Sequence, residues 1–202
     1  MPVNRFSLTL LISLLPGIII AQRNWKLERE QNGIKVFSAD VKGAVYKATK
    51  VECTLVGNYA KLIAILSDVS QFSKWIYNSK NNRLLKKLSA HDFIYYTETS
   101  LPWPLLNRET VIHVRMNTDS LPKFLTISGT AEPGHAVKNT DLIRVYQYKA
   151  NWKITMPSPN TIHIHYELVL DPGGSIPGWV ANMFTDKGPF ETFNNLAKKL
   201  KK

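Results

Sequence analysis

The sequence predicts an α+β fold in which a curved antiparallel sheet wraps around one long C-terminal helix. Three observations predict it. After residue 83, strand-like segments follow one another with only short turns between them, which favours antiparallel neighbours over the alternating strand–helix units of a parallel sheet. The final stretch, Asp171 to Lys202, then places Ile176, Trp179, Val180, Met183, Phe184, Phe190, Phe193, Leu196, Ala197 and Leu200 at three- and four-residue spacing, the signature of a helix with one apolar stripe. From Ile176 to Leu200 such a helix reaches ~37 Å, enough to cross a domain and fill a concave sheet. Rich in Trp, Phe and Met, the stripe either packs a solid core or roofs a cavity.

The N-terminus reads as an export signal over residues 1–21. Arg5 supplies a positive charge, Phe6 to Ile20 is mostly apolar, and Ala21 is a small residue suited to cleavage before Gln22. The run is shorter than the roughly 20 residues that span a bilayer, and no Cys follows the cleavage point to carry a lipid anchor. Residues 22–202 are then expected to form a single domain large enough to bury its own core. Cys53 is the only cysteine, so no internal disulfide is available. It alternates with Val51 and Leu55 and is expected to pack as a small apolar residue. Export without disulfides suits a periplasmic or secreted protein.

Lysine and arginine total 26 against 15 acidic residues, a net charge of +11. That balance favours an anionic partner. Zinc-ligand spacing, a helix-turn-helix pattern and an RNA-binding aromatic signature are all missing, so nucleic acid is not the expected partner. A basic face turned toward an anionic membrane is the functional reading, and a solvated basic surface the plain one. A monomer is expected.

Along the chain, Trp25 to Gln31 reads as a short helix ended by Asn32-Gly33. Ile34 to Ala39 and Ala44 to Leu55 read as a hairpin turning at Lys42-Gly43. Tyr59, Leu62, Ile63, Leu66, Val69 and Phe72 form a helical stripe capped by Asn58, with helical character extending to Trp75–Tyr77. Strands follow at Arg83–Leu88, Asp92–Ser100, Arg108–Asn117, Lys123–Thr130, Leu142–Met156 and Thr161–Leu170. A Gly173-Gly174 turn leads to the last helix, with Ser175 as its cap and Pro177 in its first turn. Gly188-Pro189 interrupts that helix. A proline there costs ~3 kcal/mol in a regular helix, so a kink is expected.

Four stretches carry a family likeness: SDVSQFSKW (67–75), YYTETSLPWPLLNRETVIHVR (95–115), Tyr148 to Met156, and DPGGSIPGWVANMF (171–184). In this order they resemble the START domain, the lipid-transfer fold named for steroidogenic acute regulatory protein, over Trp25 to Lys202. The resemblance implies a helix-grip fold that encloses a lipid or other hydrophobic small molecule between sheet and C-terminal helix. It implies a carrier without catalysis or cofactor, with Trp179, Met183 and Phe184 on the covering helix. It sets Arg108 and Glu109 at a family Arg-Asp position that supports structure at a strand start. Sterol-carrying members have a buried arginine further along this strand. Val114 stands there in this chain, and Arg115 has the opposite parity, a departure from the sterol pattern.

The candidate cavity wall is Trp75, Tyr95, Trp103, Trp152, Met156, Tyr166, Trp179, Met183 and Phe184. Tyr166 shares a strand face with Ile162, Ile164, Leu168 and Leu170. His163, His165 and Glu167 take the other face, some 6.6 Å apart, roughly the span of two strand residues. That is too far to converge on a metal, so a solvent face is expected and no metal site. The loop Leu101-Pro102-Trp103-Pro104-Leu105-Leu106 is apolar where turns are usually polar. Stiffened by its prolines, it either covers core or presents Trp103 at a rim. Glu98, Arg108 and His113 are the candidate polar groups. Glu98 is expected to point outward into solvent, since carboxylates are seldom buried. The alternative is an enzyme of the aromatase/cyclase kind, with these three groups inside the pocket as acid, base or orienting group. No nucleophile elbow, zinc-protease motif or phosphate-binding glycine loop supports another chemistry.

Overall fold

Strict alternation of side chains is what builds the sheet, and β10 (Thr161–Asp171) shows it best. Ile162, Ile164 and Tyr166 are buried and face Leu55, Cys53 and Val51 of β3 (Lys47–Val56), while His163 and His165 are exposed as expected. The computed structural model describes residues 23–174 and 176–201. The expected export signal and the expected Ser175 cap lie outside the described residues. The other strands are β1 (Lys26–Gln31), β2 (Ile34–Asp40), β4 (Ser79–Lys87), β5 (Asp92–Thr99), β6 (Arg108–Asn117), β7 (Leu125–Ala131), β8 (Ile143–Arg144) and β9 (Gln147–Ser158). They form one sheet in the order β1-β2-β3-β10-β9-β7-β6-β5-β4, with antiparallel neighbours throughout. The short β8 pairs parallel to the start of β6.

The helix expected at Trp25–Gln31 is a strand instead. Gln31 pairs with Ile34 across a two-residue turn, and Asn32 and Gly33 both have positive φ, 54° and 73°. That is the backbone of a tight hairpin, so the Asn-Gly read as a helix terminator is a hairpin turn. The strand expected at Leu142–Met156 breaks into β8 and β9. Helix α1 (Tyr59–Ser67) is capped as expected, Asn58 accepting from Lys61 N at 2.9 Å. The expected helical continuation is a 3₁₀ segment, Val69–Lys74, that stops at Trp75.

The C-terminal helical run comprises α2 (Gly178–Asn182), a π turn at Met183–Lys187 and α3 (Gly188–Lys201). Pro177 is its N-cap rather than a first-turn residue. In place of a simple proline kink the helix widens by one residue before Pro189, and Gly188 N donates to Met183 O. A Cβ at Gly188 would stand 2.2 Å from Met183 O, so only glycine fits this turn. The run packs on β2 and β3, where Phe190, Phe193, Leu196 and Leu200 join Ile34, Val36 and Val51 in the core. Two contacts fix the π turn. Thr49 Oγ1 donates to Phe184 O at 3.1 Å, and Arg29 pairs with both Asp186 oxygens while lying 5.0 Å over the Phe190 ring.

On the opposite, convex face, the segment 132–145 is strapped over β5 and β6. Arg144 holds it, donating to Pro133 O, Ala136 O and Val137 O and to Glu109 Oε1 at 2.9 Å. Glu109 is fully buried and also accepts from Asn139 N. Tyr96 Oη lies 2.9 Å from Glu98 and 3.1 Å from Glu109, and burial followed by these two carboxylates pushes its phenol up.

Two stability predictions follow from these contacts. Replacing Arg144 with Met strands the Glu109 carboxylate and should cost about 3–5 kcal/mol in urea denaturation, and the double change Arg144→Met with Glu109→Leu should cost less than Arg144→Met alone. Gly188→Ala should destabilise by ~1–3 kcal/mol through the Met183 clash, reversing the usual gain from Gly→Ala, while Gly178→Ala meets open space and should be neutral or better.

Candidate functional site: a cavity between sheet and helix

Because the helix leans on β2 and β3, the concave faces of β5, β6, β7 and β9 stand away from it and leave a cavity of about 230 Å³. Alternation assigns its walls. Arg108, Thr110, Ile112, Val114 and Met116 come from β6, Tyr95, Thr97 and Thr99 from β5, and Ile127 and Gly129 from β7. β9 gives Tyr148, Ala150 and Trp152, and β10 gives Tyr166, Leu168 and Leu170. Met183, Phe184, Gly188, Pro189, Thr192 and Phe193 enter from the helical run, and Phe72 and Trp75 from the 3₁₀ segment. Gly129 leaves room for a neighbour, since a Cβ there would lie 3.3 Å from the Tyr148 ring.

Aromatic rings stiffen two sides of this space. Trp152, Tyr166 and Phe193 form a mutual cluster with centroids 4.7, 5.1 and 5.3 Å apart, and Phe72 sits edge-on to both Trp75 and Tyr95. Burial pushes the Tyr148 phenol up to about 12 and raises Tyr95 and Tyr166 as well, so all three offer neutral hydroxyls. Trp75 Nε1 is a buried donor without a partner among the described residues. Arg108 is held by three carbonyls. Nε donates to Pro172 O at 3.0 Å, Nη1 to Leu106 O at 2.6 Å and Nη2 to Gly173 O at 2.9 Å. It therefore ties the 101–107 loop to the Gly173-Gly174 turn, whose φ values of 68° and 65° require glycine.

A second hollow of about 300 Å³ lies outside, lined by Lys26, Tyr46, Lys47 and Ile176 among others. It shares Leu168, Leu170, Pro172 and Phe184 with the inner cavity, so one layer of side chains separates the two.

Of the expected wall residues, the structure brings Trp75, Tyr95, Trp152, Tyr166, Met183 and Phe184 together around the cavity, with Arg108 at one end. Three lie elsewhere. Trp103 is 90 % exposed on its loop and Trp179 is 58 % exposed on α2, because their elements stand at the end of the sheet rather than over it. Met156, beyond Ile154 on β9, packs against the main core. Glu98 and His113 are on the convex face by strand parity, away from the cavity. Glu98 does point outward, but it is buried rather than solvated, beside Tyr96 Oη and accepting from Asn81 Nδ2. His113 sits between Asp92 and Glu132, with Nε2 and Nδ1 at 2.5 and 2.7 Å from their carboxylates. Sequence reasoning missed Tyr148, Phe72 and Thr97. Tyr148 was within reach, since it shares strand parity with Trp152.

The fold has known counterparts. The structure superposes on the STAR-related lipid transfer protein of Xanthomonas axonopodis with a TM-score of 0.78 at 26% identity, covering 88% of this chain and 99% of that one. An uncharacterised protein of Pseudomonas aeruginosa is 31% identical over 179 residues, 86% of this chain and 85% of that protein. The phosphatidylcholine transfer protein of Mus musculus is 25% identical over 170 residues, 82% of this chain and 78% of that protein. The family model described as START domain matches residues 10–202, and the chain belongs to that family.

Proposed function

We propose that this protein is an exported, monomeric carrier that holds one lipid or similar apolar ligand in the cavity beneath its C-terminal helix. The observation that carries this reading is the cavity itself: a largely apolar space between a concave sheet and a helix that packs on only half of it. Removing apolar ligand surface from water there contributes ~25 cal/mol per Å² before the costs of ordering the complex. The names of relatives, a lipid transfer protein and a phosphatidylcholine transfer protein, agree with such a ligand. Export to a periplasm or beyond rests on Arg5 and the Phe6–Ile20 run.

Exchange requires an exit. Antiparallel pairing sets Asp40 against Lys47, Asp171 against Gln147 and Thr99 against Arg108, so the loops after β2, before β9, between β5 and β6 and after β10 share one end of the sheet. Exposed Val45, Trp103, Leu106, Tyr146 and Trp179 stand at this end. Lys42 and Lys138 are exposed on loops of the same end. An apolar rim among cations suits transient contact with an anionic membrane, with the π turn and α2 moving to admit the ligand. A cyclase-type enzyme is the weaker reading, because Glu98 and His113, two of the groups it needs, lie on the convex face.

Gentle purification followed by mass spectrometry of extracted lipids should return a bound lipid at up to one per chain. A lipid-free protein that also refuses lipid from vesicles would refute the carrier. Met183→Trp should fill the cavity and cut uptake of a fluorescent lipid severalfold, while the unfolding free energy measured in urea changes by less than about 1 kcal/mol, since the added ring enters open space. A large stability loss with unchanged uptake would instead mark a solid core.

A further inference from the structure

The lysines of this protein fall into two groups. One group has carboxylates within 4.0 Å: Lys26 pairs with Glu28, Lys35 with Glu30, Lys47 with Asp40, Lys50 with Glu52 and Lys80 with Glu98. The other has no carboxylate that close among the described residues, and it concentrates at the end of the sheet opposite the rim.

Register defines that end. Val56 pairs with Thr161 there, and Lys87 with Phe93. Helix α1 crosses it, with Tyr59 Oη near Ile154 O and Ser67 Oγ 4.0 Å from Met116 Sδ. Helix α3 finishes there too, since Leu200 lies against Gly57 and Asn194 accepts from Asn32 in the first hairpin turn. Lys198, Lys199 and Lys201 close α3, Lys61 stands in the first turn of α1, Lys86 and Lys87 end β4, and Lys123 is exposed between β6 and β7. Asp68 and Asp119 are the carboxylates of this end without a cationic partner among the described residues. Like charges gathered in this way repel one another and stabilise nothing in the fold. They gain only when an anionic surface is brought to them.

The kind of surface follows from the side chains. Lysine is a hydrated point charge on a flexible stem, suited to the diffuse field of lipid headgroups rather than to one fixed phosphate. Val56 and Leu88 are exposed at the same end, apolar groups that a headgroup layer accepts. The large exposed aromatics on which nucleic-acid bases would stack, Trp103, Tyr146 and Trp179, are all at the rim.

We infer that this lysine-rich end docks on a bilayer of anionic phospholipid, so that one chain meets two membranes by opposite ends, the rim on one and the lysines on the other. Ten-residue strands such as β3 and β6 hold the two ends about 30 Å apart. That is several times the ~8 Å over which physiological salt screens a charge, so a bilayer at the rim does not engage the far lysines. The docking face goes beyond the carrier reading and needs no ligand in the cavity.

The test is co-sedimentation of the protein with vesicles of phosphatidylglycerol in phosphatidylcholine, together with light scattering to read vesicle clustering. Wild-type protein should bind these vesicles and cluster them. The triple change Lys198→Gln, Lys199→Gln and Lys201→Gln should weaken binding about tenfold or more and abolish clustering. Removing the same charge elsewhere, by Lys26→Gln, Lys74→Gln and Lys149→Gln, should weaken binding about twofold at most. Trp103→Ala with Trp179→Ala should keep sedimentation through the lysine end but lose clustering. Equal weakening by the two triple changes would show diffuse attraction and overturn the docking face, as would failure to bind anionic vesicles or equal binding to pure phosphatidylcholine. Tighter binding to a DNA duplex than to the vesicles would overturn the bilayer as partner. Clustering that survives either the lysine or the rim change would overturn the two-ended contact. Lipid carried in the cavity is read separately by mass spectrometry, so a lipid-free protein that still docks through the lysines would refute the carrier and leave this inference standing.

Discussion

The C-terminal helical run cannot by itself cover the concave face of a nine-strand sheet path. The helical run from Gly178 to Lys201 packs on β2 and β3 and fills that half with Phe190, Phe193, Leu196 and Leu200. The other half of the same surface, on β5, β6, β7 and β9, is met by single side chains, Phe193 against Trp152, Phe72 against Tyr95, and Tyr59 and Ser67 of α1 against Ile154 and Met116. A packed interior does not tolerate a large void without cost, so the excess concave surface either collapses or is kept open by something stiff. Here it is propped by aromatic side chains. Trp152, Tyr166 and Phe193 brace one side, and Phe72, Trp75 and Tyr95 the other. The cavity is what remains between the curved sheet, the C-terminal run and the 3₁₀ segment.

Strand β6 carries this arrangement on both faces. Its inward residues, from Arg108 to Met116, form one wall of the cavity. Its outward residues, Glu109, Val111 and His113, are covered by the segment 132–145 rather than by solvent. A sheet with water on its outside could have placed charges there at no cost. Burying them demanded partners, and Arg144, Tyr96 and Asn139 answer for Glu109 as Asp92 and Glu132 do for His113. The outer ion pair therefore holds the strap, while the inner arginine ties the 101–107 loop to the Gly173-Gly174 turn. Alternation by one residue sends the two charges to opposite faces of β6.

Much of the fold was legible because side-chain period and turn chemistry report it. The strands at Asp92–Thr99, Arg108–Asn117, Leu125–Ala131 and Thr161–Asp171, the Asn58 cap and the apolar stripe of the last helix are local patterns, and each was legible, whereas the single strand expected at Leu142–Met156 is two. The first strand was not. Its sequence, Lys26-Leu27-Glu28-Arg29-Glu30-Gln31, has good helix formers and an Asn-Gly that ends helices as readily as it turns hairpins. Only pairing with β2 decides between them. The π turn was foreseen as a disturbance at Gly188-Pro189 but not as a widened turn, since a missing N–H can be accommodated in more than one way. Glu98 was placed on the correct face and the wrong side of the solvent boundary, because Asn81, which helps to bury it beside Tyr96, comes from the neighbouring strand β4. For the site, the cavity-facing parity of Tyr95, Trp152 and Tyr166 was readable, while Trp103 and Trp179, expected on the wall, stand exposed at one end of the sheet, because apolarity alone does not distinguish a wall from a rim.

The reading of this molecule as a lipid carrier depends on where an acyl chain sits when the protein holds it. Photo-crosslinking with a phospholipid bearing a diazirine near the chain end, mapped by peptide mass spectrometry, measures that position directly. Adducts are predicted on the inward residues of β6 and β9 and at Met183, Phe184 or Phe193, with labelling lost when unlabelled lipid competes. Adducts confined to the exposed rim around Trp103 and Trp179, with none on the inward strands, would mean that lipid meets only the outside of the protein and would contradict the account.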